Sequence, residues 1–315
     1  MSNIIQMTKV NKISNGKEII SNLDMHVKQG EIYGFLGPNG AGKTTTMRMI
    51  TNLIQPTSGT IELFGQLLTP TSYESLKRMG SVMEYPIFYE NLTAYENVIM
   101  HCEYMGFYDT KAIQEALEWT GLADTKGKLV KYFSLGMKQR LGIARAISTK
   151  PELLILDEPT NGLDPVGIQE LRDFCQKLNR EFGITLFISS HLLQEIDHLA
   201  DTIGVIQNGK MIKEVSMSQV RSQVRDYIEV VVTDSKKASF ILETKMKITN
   251  FKVMDGSTIR IYQSGVSPID LSKELIDNGI GLASIIKKEL SLEEFFLETI
   301  HKGGVPSVTS HPIGI

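Results

Sequence analysis

Nine consecutive residues, Gly37-Pro38-Asn39-Gly40-Ala41-Gly42-Lys43-Thr44-Thr45, fit the pattern Gly, four residues, Gly-Lys-Thr. A polyphosphate is gripped there by backbone N–H groups. The side chains must therefore be small and φ free, which glycine allows. Lys43 supplies a point charge for the β- and γ-phosphates, and Thr44 a hydroxyl for Mg²⁺. Further along, Leu153-Leu154-Ile155-Leu156 runs into two carboxylates, Asp157 and Glu158. Asp157, at the carboxyl end of a strand, can reach Mg²⁺ through Thr44 or a water. Glu158 is then placed to polarise a water for in-line attack on a γ-phosphate. These residues thus expect a nucleoside triphosphate and Mg²⁺ as ligands.

These groups need elements to carry them. Glu31 to Leu36 reads as a buried strand entering the loop, and Thr45 to Leu53 as a helix leaving it, its positive end towards the phosphates. Met7 to Gly30 alternates around Asn15-Gly16, giving two antiparallel strands. Thr60–Phe64 is a short strand, Ser72–Arg78 a helix, and Gly80–Met83 a strand ending at Glu84. From Thr93 to about Thr149 the pattern is helical, opened by the capping-box spelling Thr93-Ala94-Tyr95-Glu96 and divided at Gly121, Gly127 and Gly136. Leu153–Leu156 is a continuous apolar strand, as in a parallel sheet. Asp164-Pro165 starts a helix, with Asp as N-cap and Pro at its first position. Gly183–Ile188 is a strand, Leu192–Leu199 a helix, and Thr202–Val215 a hairpin turning at Asn208-Gly209.

Near Val220 the character changes. Tyr227–Val232, Ser235–Lys245, Ile248–Tyr262, Pro268–Asn278, Leu282–Lys287 and Leu292–Ile300 read as strand, helix, hairpin, helix, strand and helix. This is the order of a ferredoxin-like domain, and no residue in it suggests chemistry. The tail from Gly303 is rich in Gly, Pro and Ser and is expected to be mobile.

Bulk properties narrow the function. The 315 residues suffice for about two domains. A net charge of −3 argues against a nucleic-acid partner held by bulk electrostatics. No apolar run of about 18 residues and no signal-peptide pattern is present. Cys102 and Cys175 form no Cys-x-x-Cys pair and read as buried free thiols.

The phosphate loop, Phe133-Ser134-Leu135-Gly136-Met137-Lys138-Gln139-Arg140 upstream of Asp157-Glu158, Asn161-Gly162-Leu163-Asp164-Pro165, and His191 after the next strand together resemble the ATP-binding cassette family. The resemblance covers residues from about 4 to 215. It implies an α/β fold: a P-loop NTPase core with a helical subdomain (about 90–150) and an antiparallel β subdomain. The expected division is a nucleotide-binding domain over 1–218, a small α+β domain over 225–300 and the tail over 303–315. By resemblance, Ser134 and Gly136 contact the γ-phosphate of ATP bound to a second copy, Asp164 communicates across that interface, and His191 holds the γ-phosphate and the attacking water. A membrane permease is the implied second partner, which places the chain in the cytoplasm against the inner face of the membrane.

Three positions depart from the family pattern. Glu84 stands where Gln is usual; it can still ligate Mg²⁺ through oxygen, but it adds negative charge near the phosphates. The signature, usually Leu-Ser-Gly-Gly-Gln, is Phe133-Ser134-Leu135-Gly136-Met137. The aromatic that often stacks on adenine falls near Ile13. With Tyr85-Pro86 and Leu292–Leu297, these spellings resemble ATPase subunits of exporters for bacitracin resistance or lantibiotic immunity. The aromatic stretch Tyr85–Tyr89 is open to two readings, a permease-facing groove or core packing. A soluble cassette ATPase acting on ribosomes or DNA, and a transporter ATPase for another substrate, are the competing functions.

Overall fold

A computed structural model describes residues 2–84, 86–107, 109–223 and 226–289. The expected helix Leu292–Ile300, the tail and Tyr85 lie outside the described residues. The chain divides into two compact units, Met1–Met217 and Ser218–Ile315.

In the first unit β1 (Asn3–Ser14) and β2 (Lys17–Lys28) form a long antiparallel pair. Their alternation buries Ile5, Met7, Ile20, Leu23, Met25 and Val27 on one face. β3 (Ile32–Leu36) runs to the phosphate loop and α1 (Lys43–Ile50) leaves it. β4 (Ser58–Leu63) pairs with β1, and β5 (Gln66–Leu67) with β4. α2 (Tyr73–Lys77) precedes β6 (Met79–Val82). Next come α3 (Ala94–Tyr104), α4 (Thr110–Trp119) and α5 (Leu135–Ile147), which pack on one another. β7 (Leu153–Leu156), α6 (Pro165–Phe182), β8 (Thr185–Ser190), α7 (Leu193–Ile196), β9 (Thr202–Gln207) and β10 (Lys210–Ser216) complete the unit.

The central sheet has the order β10-β9-β3-β8-β7-β6, parallel from β9 to β6, with β10 antiparallel at its edge. The middle strands carry no charged residue because both faces are covered: every residue of β3, β7 and β8 is buried, including the polar Thr185, Ser189 and Ser190 of β8. The carboxyl ends of β3, β6, β7 and β8 lie side by side, so the loops that follow them converge.

The second unit begins within α8 (Met217–Gln223). It holds β11 (Asp226–Val232), α9 (Ser235–Thr244), β12 (Phe251–Val253), β13 (Thr258–Ile261), α10 (Pro268–Asp277) and β14 (Leu282–Glu289). Its sheet is antiparallel in the order β12-β13-β11-β14. Ile228, Val230, Ile241, Leu242, Ile259 and Leu271 share its own core.

Local chemistry moved several expected boundaries. α1 starts at Lys43 rather than Thr45, because Gly42 at φ 112° is already its N-cap. Gly136 does not separate helices. Ser134 caps α5, so Gly136 lies in that helix's first turn. The stretch between α4 and α5 holds only two single 3₁₀ turns, Ala123–Thr125 and Val130–Tyr132. The helix expected over Leu192–Leu199 shrinks to Leu193–Ile196, and its Glu195 is held by Thr160 and Ser190.

Candidate active site

The phosphate loop folds as its spelling demands. A Cβ on Gly37 would lie 2.4 Å from the Ile206 carbonyl oxygen, and one on Gly42 would lie 2.5 Å from the Ile20 side chain. Glycine is required at both for close packing, and at Gly42 also for the left-handed φ. Ala41 and Lys43 are buried, whereas Asn39 and Gly40 are exposed. Lys43 Nζ donates to the carbonyls of Gly37 (2.6 Å) and Pro38 (3.3 Å). The side chain is thus curled under the loop, the point charge at its centre.

The ends of two further strands, β7 and β8, converge on Lys43 and Thr44. The Thr44 hydroxyl donates to Asp157 Oδ2 at 2.8 Å, and the Ser189 hydroxyl donates to Oδ1 at 2.6 Å. Asp157, 3% exposed, therefore has both oxygens fixed. Ser189 also accepts from the Glu158 backbone N–H at 2.8 Å. Glu158 adopts φ 47°, which a residue with a Cβ disfavours. Its Oε1 lies 3.0 Å from Lys43 Nζ, an ion pair without hydrogen-bond alignment, and is buried with no hydrogen-bond partner. His191 Nδ1 lies 2.6 Å from Oε2. An ionised carboxylate only accepts, so Nδ1 carries the hydrogen in this pair.

Thr44, Glu84, Gln139, Asp157, Glu158 and Asn161 line a cleft of about 320 Å³ beside the loop. Gln139 reaches it from α5 and donates to the Pro159 carbonyl at 3.2 Å, linking the signature helix to the carboxylate loop. Glu84 lines the cleft as well. Its carboxylate pairs with Arg48 of α1, while Lys43 is engaged by Glu158.

Ser134 and Asp164 do not join this cleft. Each caps a helix: Ser134 Oγ accepts from Met137 N–H at 3.2 Å, and Asp164 Oδ1 from Gly167 N–H at 2.8 Å. Together with Gly136 they line a separate pocket of about 510 Å³, with Trp119 and Phe174 at its apolar side. Ile13, where an adenine-stacking aromatic was sought, is half-exposed. In the stretch after Glu84, Ile87 and Tyr89 are exposed, Arg145 sits over the Phe88 ring, 5.0 Å from its centre, and Pro86 packs against Gly142 of α5. Both cysteines are buried, and burial pushes the Cys175 thiol up to about 12. Ser189 and Arg48 carried no role in the sequence reading. Ser189 does sit two residues before His191 at a strand end, and Arg48 four after Thr44.

The comparisons with known proteins decide the family. Residues 20–161 match the ABC transporter family. An uncharacterized ABC transporter ATP-binding protein of Bacillus subtilis, YcbN, is 55% identical over 97% of this chain and 99% of its own. The chain belongs to the ABC transporter ATP-binding family. The bacitracin transport ATP-binding protein BcrA of Bacillus licheniformis is 46% identical over 97% of this chain and 100% of its own. The solved structure of cbiO1 from Clostridium perfringens, part of the ABC transporter complex cbiONQ, superposes with a TM-score of 0.65. It is 25% identical and covers 79% of this chain and 98% of its own.

This ABC subunit is an ATPase that binds nucleotide. Among the described residues, no helix is long and apolar enough to cross a membrane. Nor does any group of three or more His, Cys, Asp or Glu side chains hold a metal by itself. A Mg²⁺ ion fits the donors all the same. Thr44, Glu84, Asp157 and Glu158 present hard oxygen donors to the cleft, and Mg²⁺ is commonly held by one or two protein ligands plus substrate phosphates.

Proposed function

We propose that this ABC ATPase powers export of a peptide antibiotic through a separate membrane permease, working as a pair of copies on the cytoplasmic face of the membrane. In that reading the backbone N–H groups of the loop between Asn39 and Thr45 and the Lys43 ammonium bind the β- and γ-phosphates of ATP. Thr44 and Asp157, with Glu84 at the rim, hold Mg²⁺, which would neutralise charge on the phosphates. Glu158 orients and deprotonates the attacking water. His191, which donates to Glu158, keeps that carboxylate aimed and faces the γ-phosphate. Ser134 and Gly136, at the start of α5, present N–H groups and a helix N-terminus to the γ-phosphate of the partner copy, and Asp164 relays its presence.

The observation that carries the catalytic reading is the single contact chain Thr44–Asp157–Ser189–Glu158–His191, with Lys43 3.0 Å from Glu158. Segments at the ends of three strands, β3, β7 and β8, are tied together there around two carboxylates. The similarity to BcrA, which runs through the second unit as well as the first, supports a peptide antibiotic as cargo.

The two parts of the proposal are tested separately. Purified protein should bind ATP and hydrolyse it, and Glu158→Gln should abolish turnover without abolishing binding. For cargo, a strain lacking the gene should become more sensitive to bacitracin or a lantibiotic. Unchanged sensitivity to all cell-wall peptides would reject the antibiotic assignment and leave the ATPase intact.

A further inference from the structure

Glu84 poses a problem that the rest of the cleft does not solve. Asp157 is matched by Thr44 and Ser189, and Glu158 by Lys43 and His191. Glu84 lines the same cleft as a third carboxylate. With nothing to offset it, its charge would face the polyanionic triphosphate. Its backbone is also held in the left-handed region, at φ 56°, where a side chain with a Cβ is disfavoured.

Arg48 answers the charge. It sits in the last turn of α1, four residues after Thr44, so it rises on the same helix face as the metal-binding hydroxyl. Its guanidinium pairs with the Glu84 carboxylate. Both side chains are about half-exposed, 45% and 58%, so the pair can open without dragging packed core with it.

We propose that Arg48 is a positioning residue: it neutralises Glu84 and holds its carboxylate at the rim of the cleft, where Mg²⁺ bound to the triphosphate must compete with the guanidinium for it. The proposal rests on reading this cleft as the Mg²⁺–ATP site. It makes the Arg48–Glu84 pair a device that sets the balance between metal-free and metal-bound nucleotide. The single charge on Glu84 repels the triphosphate when unpaired and attracts the metal when released.

That logic gives opposite signs for two measurable quantities. Arg48→Met should weaken binding of a fluorescent ATP analogue in EDTA about three- to tenfold, and lower the Mg²⁺ concentration that half-saturates the nucleotide-bound protein by a similar factor. Both effects should vanish when Glu84→Gln is added. A role for Arg48 in shape alone moves the two quantities in the same direction and persists in the double variant; that result overturns the proposal. Glu84→Gln alone, an exposed and nearly isosteric change, carries the test if Arg48→Met does not fold. It should bind metal-free ATP more tightly and need several-fold more Mg²⁺, and no change in either overturns the proposal. If the unaltered protein binds no ATP, the reading of the cleft fails rather than the role of Arg48.

Discussion

Glu158 and Glu229 have nearly the same inventory and opposite settings. Each side chain is 15% exposed, and each has two basic partners: Lys43 and His191 for Glu158, Arg260 and Lys288 for Glu229. Glu229 lies mid-strand in β11, directly across from Arg260 of β13, and beside β14, which carries Lys288. Each of its oxygens accepts a hydrogen bond, at 3.1 and 2.6 Å. Glu158 instead follows a strand end, at positive φ, lines a cleft, and keeps a buried oxygen without a hydrogen bond. Ion-pair partners therefore do not tell the carboxylate proposed as catalytic from one in a sheet. Backbone strain, an oxygen without a hydrogen bond and an adjoining cleft do.

The largest break in this likeness is catalytic. Glu158→Gln should lower ATP turnover by about 10²–10⁴-fold while nucleotide binding survives. Glu229→Gln should leave turnover within about twofold. Phosphate release and binding of a fluorescent ATP analogue, on both variants, check the pair of outcomes. Comparable losses from both would remove the distinction drawn here.

Next in size is the support beneath Glu158. Ser189→Ala leaves a buried Asp157 oxygen and the Glu158 N–H without their partner, at about 1–3 kcal/mol for each group. Turnover should fall with it, and Ser189→Thr, which keeps the hydroxyl, should restore much of both. If Ser189→Ala melts like the parent, the strained backbone at Glu158 is held by something else. Glu229→Ala should cost about 1–2 kcal/mol, the half-exposed Lys288 being partly screened by solvent, and should not change turnover. A turnover defect there would give the second unit a part in the chemistry.

The same contrast explains what could be read from the residues alone. The phosphate loop and the paired carboxylates were legible because their chemistry dictates both residue type and spacing: glycines where backbone closes on backbone, an apolar strand ahead of Asp157. The strand β7 was legible as an unbroken apolar run and β3 as a buried strand entering the loop, whereas β8, which ends in Ser189-Ser190, lies two residues beyond the expected Gly183–Ile188. The roles of Ser189 and Arg48 were not legible, because each depends on a contact between distant segments, 32 residues apart for Ser189 and Asp157 and 36 for Arg48 and Glu84. Glu84 shows the same limit: its charge near the phosphates was legible, and its pairing with Arg48 was not. Gly136 misled because glycine marks both helix ends and first turns, and only the Ser134 cap decides between them.

The smallest effect sharpens the comparison through pH. The hydrogen bond from Lys288, and then that from Arg260, hold the Glu229 carboxyl below its ordinary value of 4.5. A carboxyl with a lowered native pKa stabilises the fold above the unfolded value, and that contribution is lost as pH falls through the native one. Thermal melts of the parent should therefore lose stability relative to Glu229→Gln only below about pH 4.5. The difference should be flat from there to neutrality. A slope will remain in the variant, since Asp255 is also held low by the N–H groups of Ser257 and Thr258. Adding salt should shrink the parent's advantage, because Lys288 is 41% exposed. A parent and variant that run parallel from neutral pH into the acid range would show that Glu229 is not held by its two cations, and its likeness to Glu158 would be one of distance alone.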